Sequence, residues 1–251
     1  MAKGPRLDQR LVELGLADSR QRAQGLILAG LVRIDGQPAK KAGQPAPPGA
    51  RITVDGPEHP YVSRGGLKLA GALDHFALDV AGLACLDLGI STGGFSDCLL
   101  QRGAAAITGV DVGYGQLAWK LRQDPRVSLH ERVNARQMPP DMAPGPFDLC
   151  VIDVSFISLT LVLPQAPPRL RPGGHLLCLV KPQFEAGREW VGEGGVVRDE
   201  AARQAAVDKV AASLVGLGFL VLGQCDSPIE GPAGNREFFL LARWPPAAPV
   251  S

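Results

Sequence analysis

Cys85-Leu86-Asp87-Leu88-Gly89-Ile90-Ser91-Thr92-Gly93-Gly94-Phe95 is the stretch on which the reading of this chain turns. An apolar tetrad reads as a short strand, and a turn built from glycine, serine and threonine follows it. Apolar residues at helical spacing then run over residues 95–101, with Gly103 as the stop. In open α/β sheets a glycine turn between a first strand and its helix is where ligands bind, because the bare backbone admits close approach. The spacing Gly89-x-Ser91-x-Gly93-Gly94 is not the dinucleotide pattern, and no Lys-Ser or Lys-Thr follows it to make a phosphate loop.

The same rhythm continues downstream. Strands are predicted over residues 107–112, 127–130, 149–154 and 176–180, with a helix over 116–122 and a proline-broken helix after 154. Asp199 is placed to cap a long helix through Leu217, which Gly218 stops. Residues 219–222 and 237–243 are expected to close the sheet as a hairpin-like edge pair. Alternation of this kind gives an α/β fold, a doubly wound sheet with helices on both faces. Asp111, at the end of the second strand and 22 residues past Gly89, is placed to accept hydrogen bonds from a ribose diol. A glycine turn with an acid at the next strand end reads as a nucleoside pocket.

The first 56 residues have a different character. Leu7, Leu11 and Leu14 share one helical face before Gly15, and Ser19 is a candidate cap for a second helix carrying Ala23, Leu26 and Ile27. Residues 32–34 and 51–54 read as short strands, and Asp35-Gly36 as a turn. Arg6, Arg20, Arg22, Lys40 and Lys41 bring positive charge from both helices and one loop toward a common face suited to phosphate. The net charge of +1 conceals this asymmetry: nine Lys and Arg stand against five Asp and Glu before residue 57, and 17 against 20 after it. Gly56-Pro57-Glu58-His59-Pro60 reads as a short semi-rigid connection. The expected organisation is a basic module over 1–56, a linker over 57–63 and a catalytic body over 64–246.

Composition narrows the function classes. With 45% hydrophobic and 20% charged residues the chain reads as an ordinary globular protein. The five cysteines form no CxxC pair and sit mostly in apolar runs, which reads as buried reduced thiols in the cytoplasm, and the four isolated histidines give no metal site. The N-terminus lacks the apolar core of a secretory signal, and the greasiest stretch, 210–222, is too short for a membrane span of about 20 residues.

Arg6-Leu7-Asp8, Leu14-Gly15-Leu16-Ala17-Asp18-Ser19-Arg20, Val32-Arg33-Ile34-Asp35-Gly36 and Lys41-Ala42-Gly43 resemble the S4-type RNA-binding domain. The glycine turn resembles the S-adenosylmethionine loop of FtsJ-like methyltransferases, a Rossmann-like class I sheet. Val62-Ser63-Arg64-Gly65-Gly66-Leu67-Lys68-Leu69, Asp111-Val112-Gly113-Tyr114-Gly115-Gln116-Leu117, Asp153-Val154-Ser155-Phe156-Ile157-Ser158, Val180-Lys181-Pro182-Gln183-Phe184-Glu185 and Gly234-Asn235-Arg236-Glu237-Phe238-Phe239 together resemble the TlyA family, whose members carry the name hemolysin but are similar to ribosomal RNA 2′-O-methyltransferases.

The resemblance implies S-adenosylmethionine as cofactor, held by Asp87, Gly89, Ser91, Thr92, Gly93, Gly94, Phe95, Asp111, Val112, Asn134 and Asp153. Ile90 stands where such loops carry a smaller residue, which would narrow the turn. The family's Lys-Asp-Lys-Glu tetrad falls on Lys68, Asp153, Lys181 and Glu237. A ribose hydroxyl is a poor nucleophile, so the site must align it in line with the methyl carbon and receive its proton. Lys181 is expected to act as base or hydroxyl-orienting group, with Asp153 orienting it. Lys68 would tune and position, and Glu237 would hold both lysines. Arg64, Arg132 and Arg136 are expected to grip RNA phosphates near the pocket. The implied reaction is 2′-O-methylation of a cytidine on an assembled ribosomal subunit in the cytoplasm. The oligomeric state stays open, with a monomer as the default. The rival readings are a non-catalytic ribosome assembly factor and a membrane-active hemolysin.

Overall fold

A computed structural model describes residues 4–17, 20–28, 30–39, 41–47, 49–54, 59–139 and 141–246. The chain divides into two compact units, Met1–Pro60 and Tyr61–Ser251.

In the first unit, helices α1 (Leu7–Glu13) and α2 (Arg20–Leu28) precede strands β1 (Val32–Ile34), β2 (Gln37–Pro38) and β3 (Ile52–Val54), which form an antiparallel sheet in the order β2-β1-β3. Leu7, Leu11, Ala23, Ile27 and Val32 make its core, whereas Leu14, read as part of the same face, lies just past the end of α1 and is exposed. Asp35 and Gly36 both take positive φ, the conformation a tight two-residue hairpin turn requires. Ser19, Lys40 and residues 55–58 lie outside the described residues.

The second unit contains α3 (Gly65–His75), β4 (Ala84–Leu88), α4 (Gly94–Gln101), β5 (Ala106–Val110), α5 (Trp119–Arg122), β6 (Val127–His130), β7 (Phe147–Ile152), β8 (Leu170–Val180), α6 (Pro182–Glu185), α7 (Glu200–Gly216), β9 (Leu220–Asp226) and β10 (Phe238–Arg243). Seven strands form one sheet in the order β6-β5-β4-β7-β8-β10-β9. The first five are parallel, and β10 runs antiparallel to both neighbours. Alternate residues feed the two faces: Leu86, Leu88, Ile152 and Val180 pack into one core and Cys85, Leu149, Leu177 and Phe239 into the other. Residues 61–63 belong to this unit: Tyr61 packs against Gly66, and the Val62 N–H donates to Asp97 at 2.8 Å.

Several expectations are corrected. The helix expected over 116–122 keeps only its last turn, because the Ala118 N–H is drawn to the Thr92 carbonyl of the glycine loop. The proline-broken helix is three separate 3-10 turns, with Pro164, Pro167 and Pro168 removing donors that an α-helix needs. Strand β8 begins at Leu170, six residues earlier than expected. The last two strands do pair, but β10 is inserted between β8 and β9, so β9 alone forms that edge. Asp199 caps α7 as expected, accepting from the Ala202 N–H at 2.8 Å.

Candidate active site

Register brings the ends of four strands to one level. Leu88 of β4 lies beside Ile152 of β7, Ile152 beside Cys178 of β8, and Val180 of β8 beside Phe238 of β10. Gly89, Asp153, Lys181 and Glu237 are the residues immediately beyond those strand ends, or immediately before the antiparallel one. The backbone extends this level, with the Asp153 N–H donating to the Leu88 carbonyl at 3.0 Å.

The glycine turn is closed by its neighbours. At Gly89, φ is +90° and a Cβ would sit 2.2 Å from the Asp153 carbonyl oxygen. A Cβ on Gly94 would meet the Ser63 hydroxyl at 2.2 Å and the Gly66 nitrogen at 2.9 Å. Asp111, just past β5, accepts the Ser91 N–H at 2.8 Å and the Gly113 N–H at 2.7 Å, so its carboxylate is already oriented at the turn. The Ile90 side chain packs into the core against Gly109, while the residue itself still borders the narrower of two clefts at the turn.

Two adjoining clefts share Gly89, Ser91, Asp153 and Ser155. The wider, about 560 Å³, carries Asp111, Val112, Gln116, Asn134 and Arg136. The other, about 470 Å³, carries Arg64, Lys68, Thr92, Gly94, Phe95 and Lys181. A ribose-adenine moiety fits the chemistry of the first, with an acid at a strand end and polar edges at Gln116 and Asn134. A charged methyl donor fits the junction between the clefts, where Asp153 is exposed to both. Gly93 lines neither cleft and instead packs against Leu117 and Leu121.

Asp87 is also corrected as a direct cofactor contact. It is fully buried beneath the turn, accepts from the Ser96 hydroxyl at 2.7 Å and lines neither cleft. Burial, reinforced by the nearby Asp153 and Asp111 charges, pushes its carboxyl up to about 7 despite the Ser96 hydrogen bond. Its second oxygen has no hydrogen-bond partner among the described residues, and the raised value leaves the carboxyl about half protonated near pH 7.

The four ionic residues form two pairs. Lys68 reaches back from α3 and its Nζ donates to Glu237 Oε2 at 2.5 Å, with both side chains buried. The Lys181 Nζ lies 2.5 Å from Asp153 Oδ1 and donates to Ser155 Oγ at 2.8 Å. Glu237 therefore holds Lys68 rather than both lysines, and Asp153 takes Lys181. Glu237 lies behind Lys68 and lines neither cleft. Removing one partner of such a pair strands a buried charge, at a cost of about 3–5 kcal/mol.

The cationic candidates behave differently from one another. In the first unit the forks of Arg6 and Arg20 both reach Asp8, at 3.0 and 3.3 Å. The Asp8 N–H donates to the Ala42 carbonyl, which carries the Lys41 turn to the same end of α1. Lys40 and the side chain of Arg22 lie outside the described residues. In the second unit Arg64 donates to the Glu230 carbonyl at 3.0 Å, Arg136 lines the wider cleft, and Arg132 stacks over the Tyr114 ring at 4.3 Å.

Four features escaped the sequence reading. Ser155 was legible in principle, two residues beyond Asp153 in the same strand-end loop. Phe156 is 92% exposed with φ at +64°, an unusual backbone for a bulky residue, and its ring lies 5.3 Å from Phe184. Asp8 and Glu185 are buried carboxylates that the sequence shows only as letters of longer family strings, with nothing to mark their burial. Glu185 accepts from the Ser158 hydroxyl, the Leu159 N–H and Lys209, and so anchors the loop that carries Ser155 and Phe156.

A family model described as FtsJ-like methyltransferase matches residues 61–244, and one described as S4 domain matches residues 5–52. The chain is 50% identical over 244 residues to the 16S/23S rRNA (cytidine-2'-O)-methyltransferase TlyA of Mycobacterium tuberculosis, covering 97% of this chain and 91% of that one. A solved structure from Streptococcus thermophilus that carries the name hemolysin is 42% identical, with a TM-score of 0.74 over 100% of this chain and 94% of that one. An S-adenosylmethionine dependent methyltransferase from Mesorhizobium loti shares the fold at 18% identity, with a TM-score of 0.50 over 69% of this chain and 96% of that one.

Proposed function

The chain belongs to the FtsJ-like methyltransferase family, in its S4-bearing TlyA branch, and from that premise we propose that it methylates the 2′-oxygen of a cytidine ribose in ribosomal RNA, using S-adenosylmethionine. The observation that carries the reading is the pair of lysine–carboxylate contacts at the mouth of the glycine turn, on the strand ends of one sheet. S-adenosylmethionine supplies an electrophilic methyl carbon on a sulfonium. The remaining work falls to the residues of the chain.

Asp111 and the turn backbone would hold the nucleoside end of the cofactor, with Val112 and Asn134 along the base. Asp153 lies between the clefts and balances the positive charge gathered there. Lys181, steadied by Asp153 and Ser155, would orient the ribose hydroxyl or, once its own ammonium proton has passed to Asp153, receive the hydroxyl proton, as the new C–O bond forms and the methyl–sulfur bond breaks with its electron pair left on sulfur. Lys68, fixed by Glu237, forms the opposite wall. A target base must leave its stack to reach the cleft, and the exposed ring of Phe156 offers a face to receive it.

The first unit would dock on ribosomal RNA through Arg6, Arg20, Arg22, Lys40 and Lys41, with Arg64, Arg132 and Arg136 gripping phosphates nearer the chemistry. The reaction is assigned to the cytoplasm, on assembled subunits. No helix among the described residues is long and apolar enough to cross a membrane, and no group of His, Cys, Asp and Glu among them is arranged to hold a metal ion.

The test is incubation of ribosomal subunits from an unmodified strain with labelled cofactor, followed by mapping of the alkali-resistant ribose. One labelled cytidine per substrate subunit is expected, and no label with Lys181→Ala. Absence of transfer by the parent chain to either subunit would remove the proposal.

A further inference from the structure

Among the described residues, Asp8 is the most heavily used carboxylate of the first unit. It is fully buried, yet every side chain that binds it through a long flexible stem is polar and partly exposed. Its Oδ1 accepts from Arg6 Nε and the Gln9 N–H, each at 3.0 Å. Its Oδ2 accepts from Arg6 Nη2 at 3.0 Å, Arg20 Nη2 at 3.3 Å and Gln24 Nε2 at 2.9 Å. Two guanidinium groups thus share one oxygen atom, an approach that their mutual repulsion opposes and the anion between them offsets. The Arg6 contact is the two-pronged fork that fixes a guanidinium plane, and it uses only part of that group's five donors. These hydrogen bonds hold the Asp8 carboxyl well below the usual carboxylate range, Arg6 contributing most.

A second constraint comes from the opposite side. A Cβ on Gly43 would lie 3.1 Å from Arg6 Nη1, so the turn that follows Lys41 is closed down on the fork. Backbone hydrogen bonds from Leu7 and Asp8 to Gln44 and Ala42 hold that turn in place. The Arg6 plane is therefore gripped between a buried anion and a glycine, while about half of its side chain stays open to solvent.

We propose that Asp8 is a positioning residue for RNA docking, a buried anion that aligns the Arg6 and Arg20 forks side by side to meet the ribose-phosphate backbone with their geometry already set. The inference rests on the reading that this basic face binds ribosomal RNA. Preorganisation of this kind raises affinity by lowering the ordering cost of binding, although the anion itself repels phosphate. A pure count of charge makes the opposite claim, that removal of Asp8 tightens binding.

The experiment measures the affinity of the full chain for unmodified ribosomal subunits across a salt series, alongside kcat and KM for methyl transfer. Four variants are compared with the parent: Asp8→Asn, Arg6→Lys, the double variant Arg6→Ala with Arg20→Ala, and the triple variant that adds Asp8→Asn to the double. Asp8→Asn should weaken docking by about tenfold, the size of one charge-assisted hydrogen bond, and raise KM in step while kcat at saturation holds. Arg6→Lys, which keeps the charge and removes the fork, should weaken docking as well. The triple variant should bind no worse than the double, because Asp8 acts only through those arginines. Asp8→Asn binding as tightly as the parent or tighter, beside a weakened double variant, overturns the proposal. So does a triple variant much weaker than the double, which marks a general structural role. If Asp8→Asn loses the unfolding transition of the first unit, Arg6→Lys decides: parent-like binding overturns the proposal, and weakened binding upholds it. A double variant that binds like the parent shows instead that the RNA-docking reading itself is wrong.

Discussion

The two units arrange the same ionic chemistry in opposite ways. Around Asp8 the anion is buried and the cations stay half open, at 50% and 53% exposure for the Arg6 and Arg20 side chains. In the cleft the cations themselves are buried: the Lys68 and Lys181 side chains are only 9% and 10% exposed, each against a carboxylate. Open guanidinium groups attract a polyanion from a distance and lose that attraction as salt is added. Buried ammonium groups in fixed pairs attract little, are screened little, and hold a direction. One arrangement suits docking and the other suits alignment of a reacting hydroxyl.

The sharpest break between them should appear in rate. Lys181→Ala removes the only described side chain that joins Asp153 and Ser155 across the cleft, and methyl transfer is expected to fall by about a thousandfold or more, within the range of lost acid–base and orientational catalysis. Subunit affinity, read by filter binding, should stay within a few-fold of the parent. Next in size is Gly89→Ala. Its methyl group would meet the Asp153 carbonyl at 2.2 Å on a backbone with φ at +90°, so the turn must deform. Cofactor affinity by calorimetry should drop by about 100-fold, in line with the few kcal/mol such strain costs. Arg20→Ala with Lys41→Ala should weaken docking and reduce the slope of log affinity against log salt by about two, one for each phosphate that is no longer neutralised.

The last effect concerns stability. The Asp87 carboxyl is raised to about 7 in the folded chain and has the ordinary carboxylate value when unfolded. The folded state therefore holds the extra proton between about pH 4 and pH 7, and the stability this group contributes is present at low pH and lost as pH rises through that window. Thermal unfolding of the cofactor-free chain should show Asp87→Asn gaining on the parent as pH rises from 4 to 7, and nearly matching it at the acid end.

Much of this was legible in the sequence because its signals are local. Strand–turn–helix alternation placed β4, α4, β5, β6 and α7 within a residue or two of their observed bounds. Lys68, Asp153, Lys181 and Glu237 were legible through the family resemblance, and the strand pattern then set the last three at strand ends. The partnership was not legible. Which lysine meets which carboxylate depends on β10 pairing antiparallel with β8, a register set by residues more than fifty positions apart. The direction of Ile90 depends on the space left by Gly109 across the strand pair, and the burial of Asp87 on α4 closing over it. Helix α5 was over-read because its periodicity continues through residues whose donors the glycine loop has taken. Asp8 is visible in the sequence only as part of a motif, since nothing in a single chain of letters distinguishes a buried carboxylate from a solvated one.

The division of labour is tested most directly by single-turnover methylation of unmodified ribosomal subunits, measured as enzyme concentration is raised to saturation. The Arg20→Ala with Lys41→Ala variant should climb to the parent rate at a higher concentration, and Lys181→Ala should plateau about a thousandfold lower, as expected when orientation rather than binding is lost. A Lys181→Ala plateau equal to that of the parent, or a docking variant that never recovers, would contradict the account.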